Sequence, residues 1–212
     1  MTDPAAKLNF DHHSRLPSDM ALRAKALESV LVEKGLVDPA TIDAVIDAFE
    51  NKIGPHIGAR VVAKAWTDPA FRRRLFDDAT ATCADLGYTG EQTTHIVALE
   101  NTRMVHNVVA CTLCSCYPWM LLGLPPTWYK SEPYRARIVR EPRAVLREFG
   151  LDLGGDVEIR VWDSTSEMRY LVVPERPEGT DGMREDDLAA LVGRNAMIGT
   201  ARLAPPARND GQ

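Results

Sequence analysis

The stretch VHNVVACTLCSCYPW, residues 105–119, joins an apolar run to a loop that holds three of the chain's four cysteines. The run VHNVVA is short and rich in β-branched residues, which is typical of a strand. It leads directly into Cys111, Cys114 and Cys116, which define the cysteine loop (residues 111–116). A disulfide uses two thiols and a structural zinc site normally uses four ligands, so three cysteines in one loop fit neither role well.

The spacing Cys-x-x-Cys-x-Cys lets the three sulfurs point at one centre. Thiolates are soft donors that favour zinc, copper, iron or cobalt over magnesium or calcium. The same spacing predicts that the peptide nitrogens of Ser115 and Cys116 fall within the ring that the sulfurs make, where a strongly acidic trivalent ion could bind them as well. Such a loop would leave one position of the metal open, which is the arrangement of a catalytic rather than a structural site.

A structural zinc site would need a fourth ligand, and the sequence offers two candidates. His106 precedes Cys111 within the predicted strand, so its side chain reaches the loop only if that strand breaks. Cys83 falls on the apolar face of a predicted helix with Ala79 and Leu86, which is typical of a core thiol. A thiol redox switch is a further alternative, but no Cys-x-x-Cys pair lies at a predicted strand-to-helix junction.

The composition is that of an ordinary globular protein. The chain has 212 residues, of which 45% are apolar and 26% are charged, so it is long enough to bury a substantial core. Its net charge of −5 argues against nucleic acid or an anionic membrane as the main partner. The sequence shows neither the apolar core of a signal peptide nor an apolar stretch long enough to span a membrane. We therefore expect a cytoplasmic protein whose thiols stay reduced.

The first third of the sequence predicts helices. One apolar stripe at helical spacing includes Leu27, Val30 and Leu31, and a second runs from Ile42 to Ile53. A further helix is predicted from Asp68 at its start to Gly87 at its end. The first two helices have few partners within so small a chain, so we expect another subunit to cover their stripes.

After residue 90 the pattern changes to short strands and helices. HIVALEN (residues 95–101) and VHNVVA are predicted strands, and VEIRVWDS (157–164) and MRYLVVPE (168–175) are predicted to form a hairpin. REDDLAALVGR (184–194) predicts a helix and AMIGTARL (196–203) a last strand. The fold class expected from this pattern is α+β.

CTLCSCYPW, followed by LGLPPTWYK (residues 122–130), resembles the metal loop of nitrile hydratase α subunits. The same resemblance extends in the expected order through ENKIGPHIGARVVAKAWTDPAFRRRL, IVALENT, YRARIVREPRAVLREFG, EIRVWDSTSEMRYLVVPERPEGTDG and MIGTARL. It covers nearly the whole chain after about residue 20. The CTLCSC core is highly specific and is shared mainly with the related thiocyanate hydrolases.

The resemblance implies a low-spin trivalent metal ion bound by the sulfurs of Cys111, Cys114 and Cys116 and by the amide nitrogens of Ser115 and Cys116. It also implies that Cys114 is oxidised to a sulfinate and Cys116 to a sulfenate. The reaction implied is the hydration of a nitrile to an amide. Catalytic roles then fall to Cys114, Ser115 and Cys116, and to Gln92, since the family often has a glutamine near the site.

Two residues of the loop region bear on the choice of metal. Thr112 and Tyr117 are typical of the cobalt enzymes of this family, whereas the iron enzymes usually have serine and threonine there. We therefore expect Co³⁺ rather than Fe³⁺. Met120 departs from the family, which commonly has proline at this point, and a flexible methionine there is expected to affect substrate shape or stability more than the ligands.

The architecture implied is a helical N-terminal arm over residues 1–55, packed on the partner subunit, followed by a layered α/β/β/α catalytic domain over residues 56–212. In the family, the cations that hold the oxidised cysteines come from a separate β subunit. We therefore expect a heterodimer or a heterotetramer, together with an activator protein that loads the metal and a small nitrile as substrate. Neither nucleic acid nor a membrane is expected as a partner.

Several polar residues are candidates for supporting the cysteine loop. Asp163, Glu167 and Arg169 stand in the WDSTSEMR turn, where they either steady the loop through hydrogen bonds or form solvated turn charges. Arg135 and Arg137 either pair with the subunit interface or are surface charges. Two other functions stay open on the sequence: a thiocyanate hydrolase subunit with the same metal loop, and a zinc-stabilised interaction module without catalysis.

Overall fold

The computed structural model describes residues 19–47, 53–88, 95–114 and 116–205. The chain divides into two compact units, Met1–Lys52 and Ile53–Gln212. The secondary structure of the described residues combines helices with short strands, which confirms the prediction of a mixed α and β fold. No helix in this part of the chain is both long and apolar enough to cross a membrane.

The described part of the first unit contains two helices, α1 (Asp19–Glu33) and α2 (Pro39–Asp47). After α1 the chain turns at Gly35, whose φ of 66° is a left-handed conformation that glycine adopts without steric penalty. α2 begins after Asp38, whose carboxylate accepts a 2.9 Å hydrogen bond from the Ala40 N–H. Neither helix buries a residue. Their exposed large apolar side chains are Met20, Leu22, Leu27, Val30, Val45 and Ile46.

The second unit opens with three helices, α3 (Pro55–Thr67), α4 (Pro69–Asp77) and α5 (Ala79–Ala84). Asp68 caps α4 as predicted, because its carboxylate accepts a 2.9 Å hydrogen bond from the Phe71 N–H. The prediction of one continuous helix as far as Gly87 is wrong. Asp78 takes an extended conformation and accepts a 2.9 Å hydrogen bond from the Ala81 N–H, so a local side-chain bond ends one helix and begins the next.

Four strands follow in the described part of the chain: β1 (His95–Glu100), β2 (Val105–Ala110), β3 (Glu158–Asp163) and β4 (Met168–Val173). β1 pairs in parallel with β4, and β2 pairs in parallel with β3, in two separate two-stranded sheets. The predicted hairpin of β3 and β4 is therefore wrong. The polar turn between them carries the chain from one sheet to the other, and each strand finds its partner in an earlier segment.

The remaining helices described are α6 (Trp119–Leu122), a short 3-10 helix (Thr127–Lys130), α7 (Glu132–Ile138), α8 (Pro142–Glu148), α9 (Glu185–Leu191) and α10 (Arg194–Ile198). The predicted last strand is wrong, since its first residues belong to α10. Gly199 ends this helix with a φ of 92°, and a Cβ added there would clash with the backbone of Asn107. α10 therefore ends directly against β2, and the described residues after it, as far as Pro205, form no strand.

Helix α3 lies at the centre of the second unit. Val61 and Val62 are fully buried, and the helix contacts α4, α6, α9 and α10. Gly58 permits the close approach to α6, because an added Cβ would lie 2.8 Å from both the Leu121 carbonyl oxygen and the Met197 sulfur. Since α6 begins shortly after the cysteine loop, the core of this unit fixes the position at which the chain leaves that loop.

Candidate metal centre

Strand β2 carries the chain into the cysteine loop from within the core. Ala110 and Cys111 are fully buried, and Ala110 lies opposite Asp163 of β3. The Asp163 carboxylate accepts a 2.8 Å hydrogen bond from the Thr112 N–H and a 2.5 Å hydrogen bond from the Thr112 hydroxyl. The parallel pairing of β2 with β3 thus places a carboxylate where it fixes the first turn of the loop.

The three cysteine sulfurs converge on one point. The Sγ atoms of Cys111 and Cys114 are 3.2 Å apart, and those of Cys114 and Cys116 are 2.8 Å apart. All three lie within 4.8 Å of one another, and no other group of three or more possible metal-ligating side chains is found in the ranges that the structure describes. Cys111 and Cys116 are buried whereas Cys114 is exposed, so the cluster is open on one side.

This donor set fits a soft or borderline transition metal. Three converging sulfurs suit cobalt, iron, zinc or copper and do not suit magnesium or calcium. The short separations between the sulfurs also disfavour three thiolates held together without a cation, because like charges at this distance repel. Ser115, the remaining predicted ligand, and Gln92, the predicted catalytic glutamine, both lie outside the described residues.

Neither candidate for a fourth zinc ligand lies in the cluster. The His106 ring is fully buried and directed elsewhere, with Nε2 2.7 Å from the Gly199 carbonyl oxygen and Nδ1 3.3 Å from Asn101 Nδ2. Cys83 is fully buried in the hydrophobic core, and burial raises the pKa of its thiol to about 12. Cys83 is therefore the core thiol that its helical position predicts.

Burial also disfavours the charged form of one cysteine of the loop, Cys116. It raises the pKa of the Cys116 thiol to about 12, and a hydrogen bond with Cys114 acts in the same direction. The positive charge of Arg169 opposes this effect and lowers the pKa of Cys116. A buried thiol of this kind becomes a thiolate when a cation faces it, which is the condition that a bound metal ion supplies.

An aromatic frame supports the loop from the side of α7. The Tyr129 hydroxyl donates a 2.9 Å hydrogen bond to the Cys116 carbonyl oxygen, and the Tyr134 hydroxyl donates a 2.7 Å hydrogen bond to the Val109 carbonyl oxygen. The Tyr117 and Tyr129 rings meet edge to face, with centroids 5.1 Å apart. Burial raises the pKa of both tyrosines well above the ordinary value, so both hydroxyls stay neutral, and that of Tyr129 acts as a donor to the loop.

The supporting residues predicted from the sequence meet different outcomes. Asp163 contacts the loop, and Arg169 lies close enough to influence Cys116, with its buried Nε unpaired among the described residues. Glu167 is exposed, and its backbone carbonyl accepts a 2.8 Å hydrogen bond from the His95 N–H. Arg137 forms hydrogen-bonded ion pairs with glutamates of its own chain.

Sequence reasoning missed the roles of Tyr129 and Tyr134, and it left Arg135 among interface or surface charges. The Arg135 Nη1 donates a 3.3 Å hydrogen bond to the Cys114 carbonyl oxygen. The available signal was the cluster of aromatic and basic residues in WYKSEPYRAR (128–137), directly after the loop.

Comparison with known proteins decides the family of this site. A family model described as the nitrile hydratase alpha chain matches residues 18–201. The chain belongs to the nitrile hydratase α-chain family. It is 54% identical over 198 residues to the high-molecular weight cobalt-containing nitrile hydratase subunit alpha from Rhodococcus rhodochrous, which covers 93% of this chain and 98% of that relative. The resemblance predicted from the cysteine loop is thereby confirmed.

Two further similarities bear on the metal and on the alternative function. A solved double mutant of the Fe-type nitrile hydratase from Comamonas testosteroni Ni1 matches with a TM-score of 0.81 at 44% identity, over 90% of this chain and 94% of that chain. Thiocyanate hydrolase subunit gamma from Thiobacillus thioparus is 41% identical over 195 residues, which cover 87% of this chain and 80% of that protein.

The cobalt-containing nitrile hydratases are thus more similar to this chain than the Fe-type structure and the thiocyanate hydrolase are. This order confirms the prediction of cobalt over iron. It also confirms, at the level of the family, that the chain is part of a nitrile-hydrating enzyme. The thiocyanate hydrolase alternative is less supported.

Proposed function

We propose that this chain is the metal-binding α subunit of a cobalt nitrile hydratase, which adds water across the carbon–nitrogen triple bond of a small nitrile to give the amide. The observation that carries the proposal is the convergence of three cysteine sulfurs within 4.8 Å on an open-sided loop. The high identity to cobalt-containing relatives supports the same reaction. Hydration leaves every atom of substrate and water in the product, so it requires no external oxidant or reductant.

The proposed ligands are the sulfurs of Cys111, Cys114 and Cys116 and the peptide nitrogens of Ser115 and Cys116. In this chain Co³⁺ would supply a Lewis acid for the nitrile or the attacking water, with one coordination position left free. The exposure of Cys114 beside two buried cysteines supports approach of the substrate from the Cys114 side. Oxidation of Cys114 to a sulfinate and of Cys116 to a sulfenate would add acceptor oxygens at the same opening.

The chain's own residues hold this opening in place. Asp163 fixes the start of the loop through Thr112, and Tyr129 fixes its end through the Cys116 carbonyl oxygen. Asp163 is held by β3, and Tyr129 is held by the aromatic frame. The sulfurs are therefore pre-organised for one metal geometry. Gln92 is proposed to orient substrate or water near the loop, on the strength of the family resemblance.

A β subunit is proposed as the obligate partner. The exposed apolar residues of α1 and α2 and the family membership both support it, since a monomer rarely leaves so many large apolar side chains in water. The arm over residues 1–55 is proposed to pack on that subunit, while residues 56–212 form the catalytic domain. We also propose cytoplasmic localisation and metal loading by an activator protein.

The experiment that tests the function is Cys114→Ser in the α/β complex, produced with cobalt and compared with Cys83→Ala as a matched cysteine control. Cys114→Ser removes the central sulfur of the cluster, so we expect it to lose bound cobalt and nitrile hydration together, by a factor of at least about 100. Cys83→Ala should keep both, because Cys83 lies in the core away from the cluster.

Cobalt content is measured by elemental analysis. Activity is measured on acetonitrile, benzonitrile and thiocyanate, and mass spectrometry of the loop peptide shows whether its cysteines are modified. Normal cobalt and activity in Cys114→Ser would refute the ligand assignment. Faster turnover of thiocyanate than of either nitrile would instead establish the alternative enzyme. One four-coordinate zinc ion with unmodified cysteines in the wild-type complex would exclude both.

A further inference from the structure

Arg135 touches the backbone of the cysteine loop at one specific atom. Its Nη1 donates a 3.3 Å hydrogen bond to the carbonyl oxygen of Cys114, the residue at the centre of the sulfur cluster. Its Nε is buried and has no hydrogen-bond partner among the residues that the structure describes. Proteins rarely leave a buried donor in that state, so the chain's own described polar groups do not account for the whole guanidinium.

Helix α7 holds Arg135 in a fixed position relative to the loop. The Ser131 side chain caps the helix by accepting a hydrogen bond from the Tyr134 N–H. The Tyr134 hydroxyl donates a 2.7 Å hydrogen bond to the Val109 carbonyl oxygen on β2, and Ile138 is fully buried. Because β2 leads directly into the loop, Arg135 and Cys114 are connected to the same rigid frame.

The Cys114 carbonyl oxygen matters because of the peptide bond to which it belongs. In a planar trans peptide, the carbonyl bond and the bond from the following nitrogen to its hydrogen, or to a metal in its place, point in opposite directions. A hydrogen bond to the oxygen therefore limits rotation of the peptide plane, and with it the direction in which the following nitrogen can bind a metal. When a peptide nitrogen binds a metal as an anion, resonance places part of the negative charge on the same oxygen, beside which Arg135 holds a permanent positive charge.

We propose that Arg135 is a positioning residue of the metal centre, which orients the Cys114–Ser115 peptide so that its nitrogen binds the metal and which balances the charge left on its oxygen. The proposal rests on the proposed function, in which the Ser115 nitrogen is a ligand. The family resemblance implies that the cations that hold the sulfur oxygens belong to another chain. The proposal adds a cation of this chain, Arg135, which binds a backbone oxygen of the loop and not a sulfur oxygen.

The test compares Arg135→Met, Arg135→Lys and the control Arg140→Met in the α/β complex. Arg140 lies just after the same helix and is exposed, and its Nε donates a 3.0 Å hydrogen bond to the Ala136 carbonyl oxygen. Cobalt per complex is measured after dialysis against EDTA. The visible sulfur-to-cobalt absorption spectrum of the retained metal is recorded as well, because a merely structural role would not change it.

We expect Arg135→Met to retain about tenfold less cobalt than wild type, because it loses one charge-assisted hydrogen bond. We also expect its absorption spectrum to be altered. Arg135→Lys keeps the charge and a donor, so it should recover part of the cobalt and the wild-type spectrum. Arg140→Met should match the wild type. Far-ultraviolet circular dichroism and co-elution with the β subunit identify any variant that fails to fold.

The outcomes distinguish a failure of this inference from a failure of the proposed function. Wild-type cobalt content and spectrum in Arg135→Met overturn the role of Arg135 and leave the enzyme assignment intact. An equal loss in Arg135→Met, Arg135→Lys and Arg140→Met overturns it too, since it would show general fragility of the segment. A wild-type complex that binds no cobalt refutes the proposed function itself.

Discussion

His106 is a single residue whose environment determines both its charge and its role. Burial lowers the pKa of its imidazole below the ordinary value, and the hydrogen bond to the Gly199 carbonyl oxygen opposes this only in part. The folded chain therefore prefers the neutral ring. Because its two ring nitrogens face Asn101 and the Gly199 carbonyl oxygen, His106 supports the fold and does not join the three cysteines.

The lowered pKa of His106 predicts a specific loss of stability in acid. Below pH about 6.5 the unfolded chain binds a proton that the folded chain does not, so the free energy of unfolding falls as pH falls, by at most about 1.4 kcal/mol per pH unit. His106→Gln removes this titration and should flatten the profile between pH 7.5 and 5.5, although its stability at pH 7.5 should be lower.

The measurement is urea unfolding of the α chain followed by circular dichroism at several pH values. His56→Gln is the control, because His56 is exposed. An equally steep acid profile in wild type and His106→Gln would contradict the assignment of a neutral buried ring.

At the residue scale, the sequence predicted most of what its local spacing encodes. Cys111, Cys114 and Cys116 are close in space because they are close along the chain. Asp163 was a correct candidate because its motif is specific. Contacts made by distant segments were not predictable in this way, since nothing in the spacing shows that the hydroxyl of Tyr129 reaches the Cys116 carbonyl oxygen.

At the scale of elements, helix starts were predicted better than strand partners. Pro69 after a capping Asp68 is a local signal that leaves little choice to the rest of the chain. A six-residue apolar strand carries no such signal for its partner, and β3 and β4 separated by a polar turn resemble a hairpin. Their actual partners, β2 and β1, come from an earlier segment of the chain, and strand pairing depends on this wider context more than on local propensity.

The contact between α3 and α6 yields a prediction at this scale. In Gly58→Ala the new Cβ would lie 2.8 Å from the Leu121 carbonyl oxygen, which is backbone and cannot move aside without shifting α6. We expect the free energy of unfolding to fall by about 1–3 kcal/mol despite the better helix propensity of alanine. Cobalt content should fall as well, because α6 fixes the end of the cysteine loop.

Gly193→Ala is the matched control for this glycine substitution, since a Cβ at Gly193 meets nothing within 4 Å. Thermal unfolding and cobalt content of the two variants are compared in the α/β complex. If Gly58→Ala destabilises the chain but leaves cobalt content unchanged, the loop does not depend on the position of α6.

For the whole molecule, the two units differ in how they are stabilised. The second unit has a continuous hydrophobic core that extends from Ile57 to Ile198 and includes Cys111 and Cys116. The cysteine loop is thus anchored in the hydrophobic core, as a pre-organised centre requires. The helices of the first unit bury none of their residues, so their apolar side chains contribute little to stability within this chain.

This difference predicts that the first unit serves association rather than folding. A chain lacking residues 1–52 should keep the circular dichroism of the second unit but lose stable association with the β subunit. A milder variant, Leu27→Asp with Val30→Asp, changes two side chains that are 61% and 45% exposed and should weaken the complex without unfolding the chain. Each buried apolar side chain is worth about 1.5–3 kcal/mol, so the double variant should weaken association at least about 100-fold.

Lys34→Glu is the control for that double variant, because it changes charge at an exposed position of the same segment without removing apolar surface. Association is measured by size-exclusion chromatography and by titration of the β subunit into each α variant. If the shortened chain still elutes with the β subunit at the size of the complex, the subunit interface lies on residues 53–212. The apolar faces of α1 and α2 would then require a different partner.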